Sequence, residues 1–471
     1  MRIHRPDRAA YAAGAARTIA GLSRARGGGG TSLPGLIAER LAPRITERLA
    51  AQIAHGTIAV SGTNGKTTTS ALVSAALAAS GLRPLHNRAG ANLLRGITST
   101  LVMESGSRGM LHKPDAIGVF ECDEAALPAI CTALRPVAIV LTNLFRDQLD
   151  RYGEMQAIVQ RWRPLIAGLT SRTTLVLNAD DPLIAALGID APAKVVYFGM
   201  DCRTFGRAAP AENADSTSCP LCAAELAYDL VYYAHLGHYR CAHCGWARPL
   251  PAVRADAVVP RDLKGTGVVI TVAEETVAAE LRLPGVYNVY NALAAAATAA
   301  ALDLSPRRAM SALSEVGPAF GRAETVRFAG RDLHLFLVKN PTGCDEVLHL
   351  LGTLDGPIDL LMLLNDNAAD GHDVSWIWDS RVEGIAWHVR NATFGGTRAA
   401  DLAVRFKYAG YPTTGAMIVP DIRAAITSAT AATRDGGPLY IVATYTAMLA
   451  VRRFLAAQGV VKHYLDQAKG A

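Results

Sequence analysis

The stretch IAVSGTNGKTTTSALVSAAL, residues 58–77, constrains this chain more than any other, because it suits one local architecture: strand, glycine-bracketed turn, helix. The β-branched and apolar run from Ile58 to Val60 reads as a strand, and the alanine-rich segment after Lys66 reads as a helix. Glycine tolerates the tight turn, so the backbone N–H groups of Gly62, Thr63, Asn64, Gly65 and Lys66 can point at phosphate oxygens, where the helix N-terminus adds partial positive charge. Lys66 is then placed to reach the β- and γ-phosphates, and the Thr67 hydroxyl to ligate Mg²⁺. Thr68 completes the candidate nucleotide-binding set. The bland alternative, a glycine turn with an incidental lysine, requires neither the strand before it nor the helix after it.

The same alternation continues along the chain. AIGVFECDEAAL, PVAIVLTNLFRDQLDRYG and TTLVLNADDPLIAAL each read as an apolar strand followed by a polar turn, which implies a parallel sheet with helices on both faces and ligands at the C-terminal strand ends. A second series runs from LHLFLVKNP through IDLLMLLNDN and GAMIVP to PLYIVATY. GPAFGRAETVRFAGRD has the Pro, Gly and charge of a junction between the two. We therefore expect an α/β protein with a P-loop domain over 1–316, opened by a helical segment, and a second, Rossmann-like α/β domain over 317–471. Residues 203–255 look like an insertion into the first.

That insertion holds four of the eight cysteines: CPLC at Cys219 and Cys222, then, after eighteen residues, CAHC at Cys241 and Cys244. Two C-x-x-C knuckles on a small hairpin unit complete a tetrahedral thiolate site for Zn²⁺ with no position open for water, hence a structural metal; a redox pair or free thiols are the alternatives. His235, His238 and His243 read as surface histidines, and Cys122, Cys131, Cys202 and Cys344 as buried thiols. No apolar run reaches the roughly 18 residues of a spanning helix. The N-terminus lacks the apolar core of a signal peptide, so a cytoplasmic protein is expected. A net charge of +6 over 471 residues suits an acidic ligand or membrane surface better than nucleic acid.

The strand-end loops carry the candidate chemistry. Glu121, Asp123 and Glu124 follow an apolar strand, where one carboxylate binds Mg²⁺ or aims a water and the others favour the dipole of a first helical turn. Asn178, Asp180 and Asp181 form an Asx-rich turn, and Asn288 and Asn291 lie one helical turn apart, able to bond a base or cap a backbone group.

In order, GTNGKTTT, TNLFRDQLDRYG, LNADDP, LPGVYNVYNALAA and GRAE resemble the motifs of the Mur ligase superfamily, over about residues 55–330. The cysteine insertion, LVKNPTG, LNDNAADGHDVSWIWD and ATYTAMLAVR resemble more narrowly the MurT family, the ligase subunits of lipid II isoglutaminyl synthases, over nearly the whole chain. The resemblance implies an ATP-dependent carbon–nitrogen ligase with Mg²⁺ and Zn²⁺. It places Lys66 and Glu121 in catalysis, Thr67 and Glu121 on magnesium, and Asn178, Asp180, Asn288, Asn291 and Arg322 about the nucleotide. It implies amidation of the D-glutamate α-carboxylate of lipid II at the inner membrane face, through an acyl phosphate and with ammonia from a GatD-like glutaminase. The 57 residues before Ile58 are too few for the UDP-binding domain of soluble-precursor ligases.

Two departures from the classical Mur ligases, both associated with MurT-like chains, leave the magnesium count open: Gln148 replaces a metal-holding histidine, and MQAIVQRWRPLI offers no lysine to carbamylate. No glutaminase nucleophile is apparent here, since Cys344 lacks a glycine-elbow context. Asp373 first, and Asp370 second, are hypothesised to complete the partner's Cys–His pair as its third, acidic member; the alternative is that they cap the next helix at Ser375 or Trp376. A folylpolyglutamate-type ligase adding an amino acid and a zinc-ribbon nucleic-acid NTPase are the rival readings, and no nucleic-acid partner is expected.

Overall fold

The structure, a computed structural model, describes residues 8–25, 32–87, 91–106, 109–146, 155–210, 215–318, 321–412, 414 and 416–461; the loop with Gln148 lies outside them. Strand β1 (Thr57–Ser61) enters the glycine turn and is joined by β2 (Arg83–His86), β3 (Ala116–Glu121), β4 (Ala138–Leu141), β5 (Thr174–Asn178) and β6 (Lys194–Met200). β7 (Leu226–Tyr233) and β8 (Leu236–Cys241) form a separate hairpin. With β9 (Val253–Pro260), β10 (Thr266–Val272) and β11 (Glu275–Leu281) the chain returns to the sheet, whose order is β11-β10-β9-β6-β5-β4-β1-β3-β2. Pairing is parallel from β2 to β9, but β10 and β11 are antiparallel. The expected parallel sheet thus gains an antiparallel edge, because these last strands follow one another through tight turns, which only antiparallel strands can use.

β1 shows how the sheet is clad. Ile58 and Val60 face a core with Leu72, Val73 and Ala76 of the helix Lys66–Ala79 and the alanines of Val286–Ala301. Ala59 faces the opposite core with Ile139, Leu141 and Trp162, closed over by the helices Leu127–Leu134 and Met155–Ala167 and by N-terminal helices including Leu33–Leu41 and Ile45–Ala50. Alternate strand residues serve opposite faces, so both must be apolar in a sheet covered on both sides.

The second sheet contains β12 (Arg322–Phe328), β13 (Arg331–Leu337), β14 (Ile358–Leu363), β15 (Val389–Gly395), β16 (Met417–Val419) and β17 (Leu439–Ala443), in the order β12-β13-β17-β14-β15-β16. Only β12 runs antiparallel. Helices Pro341–Gly352 and Ala399–Tyr408 pack on one face, Ile422–Ala432 and Tyr445–Ala457 on the other. The change of sheet falls between the helix Pro306–Glu315 and β12. The cysteine segment leaves the first sheet after Met200 and rejoins it at Val253, which pairs with Phe198; it thus starts two residues before the expected 203–255 span, whose last three residues already belong to β9. Its hairpin is not a surface appendage: Tyr232, Tyr233 and Leu236 belong to the same core as β1.

Candidate functional site

The β1 turn, the loops after β3 and β4, and the start of the helix Pro341–Gly352 meet at the C-terminal end of the first sheet. Gly62 (φ +139°) and Gly65 (φ +85°) hold the turn in conformations that L side chains resist; a Cβ at Gly65 would stand 2.1 Å from Oδ1 of Asn291. Lys66 begins the helix and folds back, its ammonium donating to the carbonyls of Gly62 (2.6 Å) and Thr63 (3.3 Å) and to Oε1 of Glu124 (3.0 Å). Both members of that ion pair are buried. Thr67 Oγ1 donates to Glu121 Oε2 at 2.7 Å and accepts from Arg322 Nη2 at 3.1 Å. Burial pulls the Arg322 guanidinium below its ordinary pKa, opposed by the Glu121 charge. The hydroxyl of Thr67 and the carboxylate of Glu121 are hard oxygen donors, a set that fits a small divalent cation.

Of the three acidic residues after β3, two therefore reach the turn. Asp123 instead caps its own loop, accepting from Ala125 N–H at 3.1 Å. The sequence reading did not assign Glu124 to Lys66. It also passed over Asn87, which clasps the Glu121 backbone, donating to its carbonyl (2.9 Å) and accepting from its N–H (2.8 Å). Asn87 follows the short strand Arg83–His86, whose sequence RPLH is half-exposed and carries no signal that would have singled it out.

Amides brace the turn from two further directions. Asn143 Oδ1 accepts from Asn64 N–H (2.9 Å), and Asn143 Nδ2 donates to the Asn64 carbonyl (3.1 Å). The Asn64 and Asn340 side chains exchange hydrogen bonds at 3.3 and 3.0 Å, and Asn340 caps the helix Pro341–Gly352 through Gly343 N–H. The two sheets therefore meet at the phosphate-binding turn itself. Arg146 makes a second junction, with Nε 2.5 Å from Asp215 Oδ1 and Nη1 3.4 Å from Asp379 Oδ2.

Four candidate nucleotide contacts lie deeper than expected. Asn178 is fully buried, its amide tied to the Thr142 carbonyl and the Asp180 N–H. Asp180 is bound by Arg248 Nε (2.6 Å), Met200 N–H and the Tyr290 hydroxyl. Asn288 donates to the Pro284 carbonyl and accepts from Asn291, whose Oδ1 accepts from Thr69 Oγ1. The one-face spacing of Asn288 and Asn291 holds, but here they meet backbone and the P-loop helix. As placed here, the hydrogen-bonding groups of these buried side chains are engaged by the protein itself.

The four cysteines converge, all ligand sulfurs within 4.8 Å of one another, with Cys219–Cys244 at 3.7 Å and Cys222–Cys241 at 3.5 Å. Four convergent thiols fit a metal ion. The Cys241 thiol is lowered to about 6, first by the Cys244 N–H and despite desolvation, while the Cys219 and Cys222 thiols are raised, so the backbone favours a thiolate at Cys241 rather than across the set. Cys122, Cys131, Cys202 and Cys344 are buried, as expected, and His243 is exposed. His235 is not a surface residue: it is wholly buried, because the hairpin tip turns inward, and His238 is partly buried against the Met200 carbonyl (2.8 Å).

At the end of β14 the DGHD loop separates the two aspartates. Asp370 is buried and bound to the N–H and hydroxyl of Thr446. Asp373 is exposed, with Oδ1 accepting from Ser375 N–H at 2.8 Å; the Ser375 side chain first, and this N–H second, lower its pKa. The capping contact considered from sequence is thus present.

Comparison with known proteins agrees with this architecture. Residues 60–231 match the Mur ligase middle domain and residues 337–448 the MurT ligase C-terminal domain. The lipid II isoglutaminyl synthase (glutamine-hydrolyzing) subunit MurT of Streptococcus pneumoniae is 34% identical over 440 residues, covering 93% of this chain and 95% of that one. The subunit of the same name from Staphylococcus aureus strain COL is 34% identical over 390 residues, 82% of this chain and 85% of that one. Among solved structures, a pseudomurein peptide ligase type C from Methanothermus fervidus shares the fold with TM-score 0.66 at 21% identity, over 87% of this chain and 80% of that one.

Proposed function

The chain belongs to the MurT family, and on that premise we propose that it is the ATP-dependent ligase subunit of a lipid II isoglutaminyl synthase, amidating the stem-peptide D-glutamate. The observation that carries this reading is the likeness along 93% of the chain, with the C-terminal region included. An amino-acid-adding ligase would share the core but would not account for that C-terminal match.

The reaction begins when an oxygen of the glutamate α-carboxylate attacks the γ-phosphorus of ATP, releasing ADP and leaving an acyl phosphate. Ammonia then attacks the acyl carbon; the nitrogen gives up a proton, the C–O bond to phosphate breaks, and D-isoglutamine and inorganic phosphate result. The N–H groups of Gly62 to Lys66 cradle the phosphates, and the Lys66 ammonium, exchanging Glu124 for phosphate oxygen, stabilises charge on the transferring group. Thr67 and Glu121 would hold magnesium, which supplies charge neutralisation at the phosphates. Arg322 and Asn340 bring the second domain to the same point, where the acyl acceptor must sit. Cys219, Cys222, Cys241 and Cys244 hold a structural zinc.

The subunit designation of its relatives supports a partner, and we assign that partner as a GatD-like glutaminase. Asp373 is the better candidate for an acid lent to it, being exposed where Asp370 is not. No helix among the described residues is long and apolar enough to cross a membrane; the lipid II substrate is what supports a peripheral encounter at the cytoplasmic face. The test is ATP turnover and carboxamide formation on lipid II by the purified chain with ammonium, and with glutamine plus the glutaminase. Activity with ammonium alone, and with glutamine only when the partner is present, supports the reading; incorporation of an amino acid in place of nitrogen refutes it.

A further inference from the structure

His235 sits at the turn of the β7–β8 hairpin, in the cysteine insertion, and is wholly buried. Neither ring nitrogen has a hydrogen-bond partner among the described residues, yet Nε2 stands 3.6 Å from Oδ2 of Asp181, just beyond bonding length. A buried imidazole with both nitrogens unsatisfied is costly, and native interiors seldom keep one without a use.

What surrounds it is the nucleotide loop system. The His235 and Tyr233 rings each stand 5.1 Å, centroid to centroid, from that of Phe145. The Phe145 N–H donates to Thr63 Oγ1 at 3.1 Å, and that hydroxyl reaches the Phe145 carbonyl at 3.2 Å. Asp181 Oδ2 accepts from the N–H of Leu144, the residue before, at 2.8 Å, while Oδ1 caps the helix Pro182–Ala186. A continuous path thus runs from His235 through Asp181 and Leu144–Phe145 to the phosphate-binding turn. The hairpin is anchored beside it by Gly237 N–H on the Asp180 carbonyl (3.0 Å) and by the Tyr239 hydroxyl on the Ala179 carbonyl (2.9 Å).

We propose that His235 is a positioning residue for nucleotide binding: with nucleotide present its Nε2–H closes onto Asp181, fixing the Leu144–Phe145 segment and, through it, Thr63. The cysteine insertion is then a buttress of the nucleotide site as well as a metal-bound unit. This rests on the proposed ATP-dependent reaction.

The test compares His235→Phe with His235→Gln in the full chain with its glutaminase, using ATP, ammonium and lipid II. Phenylalanine keeps the ring against Phe145 but cannot donate; glutamine keeps a donor. The Phe variant is expected to raise the ATP KM and the directly measured ATP Kd about ten-fold, the worth of one buried hydrogen bond, with kcat at saturating ATP much less affected and with Gln restoring most of the affinity. Metal content and thermal melting are read alongside. Wild-type affinity in the Phe variant overturns the proposal, as does a parallel loss in both variants that follows the fraction folded. Failure of the wild-type chain to bind or use ATP would instead sink the ligase reading itself.

Discussion

The ammonium of Lys66 lies 3.0 Å from Oε1 of Glu124, and neither side chain is open to solvent. On the proposed reaction, the charge assigned to the transferring phosphoryl is held in place by a carboxylate that must be given up, or shared, when phosphate arrives.

This gives Lys66→Ala two separable effects. Losing the charge should lower amidation with saturating ammonium by about 10³-fold or more. It also leaves Glu124 buried without a counter-charge, which should destabilise the fold by roughly 3 kcal/mol. Adding Glu124→Ala should recover melting temperature without recovering activity; recovery of neither would remove the ion pair from the account.

Glu121→Gln should weaken the response to magnesium, seen as a higher Mg²⁺ concentration at half-maximal rate. Asn87→Ala should do the same more mildly, since Asn87 holds the Glu121 backbone from both sides. An unaltered magnesium titration for Glu121→Gln would contradict the assignment.

If the four convergent thiols hold the proposed structural zinc, elemental analysis should find about one zinc per chain. Cys219→Ser or Cys241→Ser should lower metal content and melting temperature together. A metal-free protein that melts like wild type would exclude a structural site.

Glu346, buried in the helix Pro341–Gly352, has its carboxyl raised to about 7, first by desolvation. The folded state then holds a proton that the unfolded state has released, so stability should fall as pH rises from about 4.5 to 7. Glu346→Gln should flatten that slope, matching wild type near pH 5 and exceeding it by of order 2 kcal/mol near pH 8. Parallel stability curves for the two proteins would count against a buried, desolvated Glu346.

How much was legible in the sequence depends on how local each cause is. The P-loop, its flanking strand and helix, the four-cysteine spacing and the second α/β series follow from patterns within a few residues, and the fold bears them out. Which of Glu121, Asp123 and Glu124 reaches the turn depends on the helix that follows, and sequence had no means to place Glu124 on Lys66. Asn178, Asp180, Asn288 and Asn291 look like ligand contacts because polar residues at strand ends and on helix faces usually meet solvent or ligand. Here Arg248 and Tyr290 bind Asp180, Thr69 binds Asn291, and Asn178 and Asn288 donate to the Thr142 and Pro284 carbonyls. His235 reads as surface in a polar hairpin turn, and only the docking of that hairpin on Phe145 and Asp181 makes it internal.

Exchanging Asp373 for Asn should leave ammonium-dependent amidation intact while glutamine-dependent amidation falls sharply, with the complex still forming on a sizing column. Its exposed carboxylate, already ordered by Ser375, is what makes it available. Undiminished glutamine hydrolysis in the complex would assign Asp373 to helix capping alone.

Activation of the carboxylate by phosphoryl transfer is the central proposed step, and isotope transfer tests it most directly. Lipid II carrying ¹⁸O in the D-glutamate α-carboxylate is turned over with ATP, ammonium and the purified chain, and the released phosphate is analysed by mass. A single ¹⁸O in the phosphate for each carboxamide formed is the predicted result; unlabelled phosphate, or phosphate release without amidated lipid II, would contradict it.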